Sequence, residues 1–243
     1  MVESLRKPFA DQLEEIRNEL VRMAGVLIEA IPRCTEALLA SDLAAAQEII
    51  DADDVLDDAS LALEHHCHQL LALQQPTAGD LRAIMAALTI NYEIERSGDL
   101  VENIAKAMRR VYGTEFGPRL RGLLAQMSEE ATRLMRFAVD AYADGNSGLA
   151  AALDDIDDRL DRLNHQCLAM IVGEEGPEMG EMASRVQLAL IARYYERIGD
   201  HAVNIGERVR YMVDGWRPPQ SEEATAESRA GSTAGTDGGG SGG

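Results

Sequence analysis

Aromatic residues make up only 4% of the 243-residue chain, and runs of β-branched or alternating residues of strand length are scarce. A sheet-based fold is excluded on that ground. No stretch approaches the roughly 18 uncharged apolar residues that a membrane-spanning helix requires. Met1 to Phe9 contains no apolar segment of secretory type, so a cytoplasmic protein is expected. The three cysteines, Cys34, Cys67 and Cys167, are odd in number and lack a C-x-x-C spacing. They read as buried free thiols of a reducing compartment.

Catalytic motifs are missing as well. There is no G-x-S-x-G, no P-loop, no H-E-x-x-H and no dinucleotide glycine fingerprint, so the reading is a protein that is not an enzyme. None of the five histidines follows an acidic residue by three positions, which removes the Glu-x-x-His pairs of ferritin-like di-iron proteins. Positive charge is also short. Twenty-three basic against 42 acidic residues give a net charge of −19, and nucleic acid as a partner is excluded.

Helix is what remains. Leu13, Ile16, Leu20, Met23 and Leu27 recur at three and four, the helical period. Six helices are expected. The first runs from about Pro8 to Ala40, with a kink or local break at Pro32. The second starts at a Ser41 or Asp42 cap and reaches about Gln74, and the third runs from a Thr77 cap to about Tyr112. The fourth opens at Gly117-Pro118 and ends near Asp144, the fifth ends near Val172, and the sixth runs from about Pro177 to Gly215. From Ser221 the composition is that of a disordered tail.

The chain also repeats itself. Glu95 to Ile104 reads Glu-Arg-Ser-Gly-Asp-Leu-Val-Glu-Asn-Ile, and Glu196 to Ile205 reads Glu-Arg-Ile-Gly-Asp-His-Ala-Val-Asn-Ile, an offset of 101. Upstream of Pro76 and Pro177 the offset becomes 100, matching Asp54, Asp57, Asp58, Leu63, His65 and Cys67 to Asp154, Asp157, Asp158, Leu163, His165 and Cys167. The fold expected is all-α: two tandem antiparallel three-helix bundles over residues 1–113 and 114–217, with a tail over 218–243.

Acidic residues cluster within that repeat. Asp54 and Asp58 lie about as far before Pro76 as Glu95 and Asp99 lie after it. Asp154 and Asp158 stand in the same relation to Glu196 and Asp200 across Pro177. In a helical hairpin, positions equidistant from the turn share a height, and an i, i+4 spacing shares a face. Four carboxylates that converge in a bundle repel unless neutralised, and hard cations prefer oxygen ligands. The eight residues are therefore candidate metal ligands. The alternative is a surface acidic patch balanced by Arg96 and Arg197, useful only for docking basic partners. Gly98 and Gly199, inside helices, point to close helix packing. His65 and His165 read as core histidines, and Asn103 and Asn204 as capping or cross-bundle hydrogen-bond groups.

These motifs resemble the PhoU family. The resemblance extends from about Phe9 to Tyr211 and includes Gln75-Pro76-Thr77-Ala78-Gly79-Asp80-Leu81-Arg82. The second copy of the signature is close; the first has Ser97 for Ile and Leu100 for His. The resemblance implies two three-helix bundles that bind divalent or iron-type metal ions through the eight acidic positions, in an often dimeric cytoplasmic protein. It implies partnership with the phosphate ABC transporter ATPase and the phosphate-sensing histidine kinase, with no membrane contact except through them. The implied role is to repress the phosphate-starvation response when phosphate is plentiful. The alternative from another class is a carboxylate-bridged metalloenzyme, a hydrolase or oxidase.

Overall fold

The structure is a computed structural model that describes residues 2–73, 76–115, 117–173 and 182–216. It contains seven helices among the described residues: α1 (Val2–Ala40), α2 (Leu43–Leu73), α3 (Ala78–Met108), α4 (Pro118–Asp144), α5 (Ser147–Ala151), α6 (Leu153–Val172) and α7 (Met182–Asp214). The expected start at Pro177 and the tail from Ser221 lie outside the described residues.

Local chemistry sets most boundaries. Asp42 Oδ1 accepts from the backbone N–H of Ala44 and Ala45, both at 3.0 Å, and so caps α2. Thr77 precedes α3 in extended conformation, but its hydroxyl donates to Asp80 Oδ2 at 2.6 Å instead of capping the backbone. Pro118 opens α4 in its first turn, and Gly145 closes it with a left-handed φ of 61°.

Two expectations are corrected. α1 starts before Pro8 and runs unbroken through Pro32. The long apolar face beyond it, Cys34, Ala37 and Leu38 all buried, holds the helix together where one backbone donor is missing. The helix expected to end near Val172 is divided at Ala152 into α5 and α6. Gly206 on α7 accounts for the division. A Cβ there would lie 2.8 Å from the Ala150 carbonyl oxygen and 2.6 Å from Leu153 Cδ1, so the backbone of α5 packs directly onto α7.

α1, α2 and α3 form one antiparallel bundle, and α4, α6 and α7 the other, with α5 leading into α6. The halves meet through α1 on α4 and α3 on α7, and α2 and α6 stay on the outside without touching. α3 and α7 run antiparallel. Asn204 Nδ2 donates to Glu93 Oε2 at 3.2 Å, and Arg110 Nη1 donates to Gln187 Oε1 at 3.2 Å. On that register Gly98 lies level with Gly199, so the acidic signatures of the two halves sit at one height, back to back. A buried hydroxyl trio fixes the second seam. Thr35 Oγ1 lies 2.6 Å from Tyr195 Oη and 2.7 Å from Ser128 Oγ, joining α1, α4 and α7.

The small-residue contacts yield a contrast in sign. A Cβ at Gly199 would enter the space of Asp157 Oδ1 and lie 2.6 Å from the buried Leu160 Cδ2, whereas Gly25 in α1 has nothing within 4 Å. Gly25→Ala should raise stability by about 0.5–1 kcal/mol through helix propensity. Gly199→Ala should lower it by about 1 kcal/mol or more, overpacking outweighing the same gain. Urea unfolding of both variants measures the difference.

Candidate metal centres

The stripe that α2 turns towards the core runs Ile49, Asp53, Leu56, Ser60, Leu63 and Cys67. The stripe of α6 runs Leu153, Asp157, Leu160, Asn164, Cys167 and Ile171. Both follow the three-four spacing of one helical face, and in both an aspartate interrupts an otherwise buried row. Opposite each aspartate, the facing helix carries a glycine. A Cβ at Gly98 would lie 2.5 Å from Leu56 Cδ2 and 3.0 Å from Asp53 Oδ1; Gly199 stands in the same relation to Leu160 and Asp157.

The spatial twins are therefore Asp53 with Asp157 and Asp57 with Asp161, an offset of 104 in place of the 100 read from the sequence alignment. The difference is about one helical turn. The structure thus sets Asp53 and Asp157, outside the expected set, opposite the two glycines. Asp54, Asp57, Asp58, Asp154 and Asp158 are solvent-exposed, Asp53 and Asp161 are half-buried, and Asp157 is buried; Asp57 and Asp161 lie one turn on from the two seam aspartates. The sequence Asp51-Ala52-Asp53-Asp54-Val55-Leu56-Asp57-Asp58 holds two overlapping i, i+4 acidic pairs, and similarity between the copies selects the pair that does not include the seam aspartate. The interrupted apolar row was the signal that distinguishes them.

Glu95 and Asp99 on α3, and Glu196 and Asp200 on α7, lie at the level of these aspartates, as the hairpin geometry requires. The first centre gains a fifth carboxylate, Glu102, paired with Lys106. Burial raises the Asp53 carboxyl to about 7, with Asp57, Glu102 and Asp99 adding like charge. Burial likewise raises Asp157 to about 7, followed by Asp161, Asp200, Asp154 and Asp158. Asp57, Glu95 and Asp200 are shifted upward too, desolvation being the largest cause in each.

The second centre is the more enclosed. Asp157 is 9% and Glu196 8% exposed, and Asp157 Oδ1 and Glu196 Oε2 are buried without a hydrogen-bond partner. The other oxygen of Glu196 is paired with Arg193. Two orphaned carboxylate oxygens in a dry seam form a donor set suited to a hard or iron-type cation. The carboxylates face one another without being gathered into a cage: among the described residues no three acidic, imidazole or thiol groups stand close enough to hold an ion.

The neighbouring polar residues divide. Arg96 lies 3.1 Å from Asp99 and 3.8 Å from Glu95, as expected of a charge-balancing arginine. Arg197 is exposed, with Asp200 in electrostatic reach. Cys67 and Cys167 are buried free thiols. His65 and His165 are exposed, against the expectation of core histidines, because the stripe passes through their neighbours Cys67 and Cys167 instead. Asn204 does not cap an acidic centre; it binds Glu93 across the seam.

His201 had no assigned role in the sequence. Its Nδ1 lies 2.6 Å from Glu93 Oε2, and both side chains are about nine-tenths buried. It is also in electrostatic reach of Glu95 in one centre and Asp200 in the other. This bridge explains the departure of the first copy. Leu100 occupies the position twin to His201, and Tyr194 the position twin to Glu93, so the acid–imidazole pair occurs once where two identical copies would have made it twice. A second network, the buried Glu130 with the half-exposed Arg133 at 2.5 Å and Arg159 at 3.0 Å, ties α4 to α6.

Fold and centres together define a class: a duplicated helical-bundle protein with a carboxylate-lined seam in each half. The PhoU domain family matches residues 20–108 and 124–209, one match per bundle, and the chain belongs to this family. It is 34% identical over 225 residues to the phosphate-specific transport system accessory protein PhoU homolog 1 of Mycobacterium tuberculosis, covering 91% of this chain and all of the relative. It is 31% identical over 211 residues to the PhoU homolog of Clostridium acetobutylicum, covering 86% of this chain and 96% of that protein. The crystal structure of PhoU from Pseudomonas aeruginosa superposes with a TM-score of 0.79 at 28% identity, over 86% of this chain and all of that one. PhoU from Streptococcus pneumoniae, at 24% identity and the same TM-score of 0.79, shares the fold over 87% of this chain and 99% of its own.

The raised aspartates have a stability consequence. An acid whose folded pKa exceeds its unfolded value binds its proton more tightly when folded. Without a counter-ion, stability therefore falls as pH rises from about 4 to about 7 and levels off above. Asp157→Asn should flatten that fall and stabilise the metal-free protein at pH 8 by on the order of a few kcal/mol. Thermal unfolding between pH 4 and 8 in the presence of a chelator measures both.

Proposed function

We propose that the chain is a non-catalytic regulatory adaptor of phosphate uptake and phosphate-starvation signalling. It acts in the cytoplasm, as a homodimer, with the phosphate ABC transporter ATPase and the phosphate-sensing histidine kinase, and represses the response while phosphate is plentiful. The observation that carries the reading is end-to-end similarity to a protein named as a phosphate-specific transport system accessory protein, at 34% identity over 91% of this chain. In support, no helix among the described residues is long and apolar enough to cross a membrane, which suits a protein that reaches the membrane through its partners.

In this reading each half holds divalent or iron-type metal ions. The ligands are Asp53, Asp57, Glu95 and Asp99 in the first and Asp157, Asp161, Glu196 and Asp200 in the second. Bound metal supplies the positive charge that these carboxylates lack. Asp157 carries a raised pKa of about 7, so it must surrender a proton before it ligates, and affinity rises as pH passes through neutrality. Neutralised, the seam between α6 and α7 becomes stiffer, and a partner meets a defined surface.

Metal content by mass spectrometry, with capture of the two partners, tests both parts. Asp157→Asn/Asp161→Asn should lower bound metal by about half if the sites are equivalent, whereas Asp154→Asn/Asp158→Asn should leave it unchanged. Equal loss in both pairs would sink the ligand assignment. Failure of the wild-type chain to capture either the transporter ATPase or the kinase would sink the adaptor role.

A further inference from the structure

The outer groove between α2 and α3 of the first half opens a cavity of ≈540 Å³, within the size range of ligand pockets. α2 contributes Asp57, Leu61 and Glu64, and α3 contributes Leu88, Asn91, Tyr92 and Glu95. Ser60 and His68 complete the lining, in which three carboxylates stand against a single imidazole. Asn91 is only 4% exposed, and its Nδ2 donates to Ser60 O at 3.0 Å and Ser60 Oγ at 2.9 Å. That orientation is set by the Ser60 carbonyl, which can only accept, and it leaves Asn91 Oδ1 buried with no partner. A buried acceptor beside the Glu64 carboxylate, which is not among the proposed metal ligands, calls for a donor carrying positive charge.

The second half shows what fits there. The twin of Tyr92 is Arg193, which pairs with Glu196, itself the twin of Glu95. The twins of Asn91 and Glu64 are Ala192 and Leu168, so that half supplies its own guanidinium, and the orphaned amide oxygen there is that of Asn164, the twin of Ser60. In the first half Arg96 lies over the Tyr92 ring, 5.1 Å from its centre, and reaches Asp99. Among the described residues, Glu64 has no cation at ion-pair distance. Around the cavity, Leu81, Met85, Leu88 and Tyr92 follow one face of α3, and Leu81, Met85, Tyr92 and Leu61 are 42%, 44%, 51% and 67% exposed. A free polyamine would leave that apolar rim uncovered. A second copy, of net charge −19, would bring more acid to it.

We propose that this groove docks an amphipathic helix of a partner protein, its apolar face on the α3 stripe and an arginine inserted against Asn91 and Glu64. The inference rests on the adaptor reading and names the chemistry of the adaptor's partner. The mode is helix-in-groove recognition with one desolvated charge as anchor.

The probe is a labelled peptide designed as an amphipathic helix, leucines on one face and arginines along its flanks, titrated by fluorescence anisotropy into the full chain. Saturable binding should weaken about tenfold or more with Glu64→Lys, and similarly with Asn91→Leu. Glu64 is exposed and is not among the proposed metal ligands, so its variant should fold and keep its metal content. It carries the test if Asn91→Leu does not fold. Absence of binding, equal binding by a peptide with glutamates for arginines, or unchanged binding by Glu64→Lys overturns the proposal. Equal affinity for arginine amide alone marks a small-cation site, and self-association that Glu64→Lys abolishes marks a contact between copies; either overturns it. Capture of the transporter ATPase or kinase that survives Glu64→Lys overturns the groove and leaves the adaptor reading standing.

Discussion

A hydrogen atom in place of a side chain at Gly98 and Gly199 lets two helices in each half approach until an aspartate and a leucine of one rest on the backbone of the other. Each glycine costs roughly 1 kcal/mol of helix propensity relative to alanine. What it permits is a seam narrow enough to bury Asp157 and half-bury Asp53. Their raised proton affinity, the orphaned oxygens of the second centre and its suitability for a cation all follow from that approach. With a larger residue at either position the helices would separate and the same acids would be ordinary surface charge.

The halves are similar without being equivalent, and the differences fall where they touch. Glu93 and His201 form one buried acid–imidazole bridge, and their twins Tyr194 and Leu100 complete no second one. Arg193 neutralises Glu196 from within, whereas Glu95 shares its face with Tyr92 and an open groove. Duplication supplied a symmetric frame, and divergence at a handful of contacts assigned the halves different surfaces. One is enclosed and self-balanced; the other is open, more acidic and rimmed by apolar side chains.

Much of this was legible in the chain. The scarcity of aromatics, the three-four spacing and the internal repeat led to two three-helix bundles, and Glu95, Asp99, Glu196 and Asp200 were located by hairpin arithmetic that the structure reproduces. On α2 and α6 the structure sets Asp53 and Asp157 against the facing helix, one step around from Asp54 and Asp158. In an acid-rich run such as Asp51 to Asp58, two carboxylate pairs fit the i, i+4 rule equally, and sequence similarity between copies is a poor guide to which one faces inward. The division of α5 from α6 was invisible for a related reason, since it depends on the close approach of Ala150 to Gly206 in a helix some fifty residues away.

Sequence by itself determined the class of fold, the duplication and the oxygen-rich chemistry, because these depend on local periodicity and composition, which a linear chain displays directly. Tertiary structure decided which aspartates lose their water, which histidine bridges the halves and which half keeps an open groove. Those properties depend on how two helices are rotated against each other. A rotation of 100°, the angle between successive residues on a helix, is enough to exchange a buried carboxylate for an exposed one.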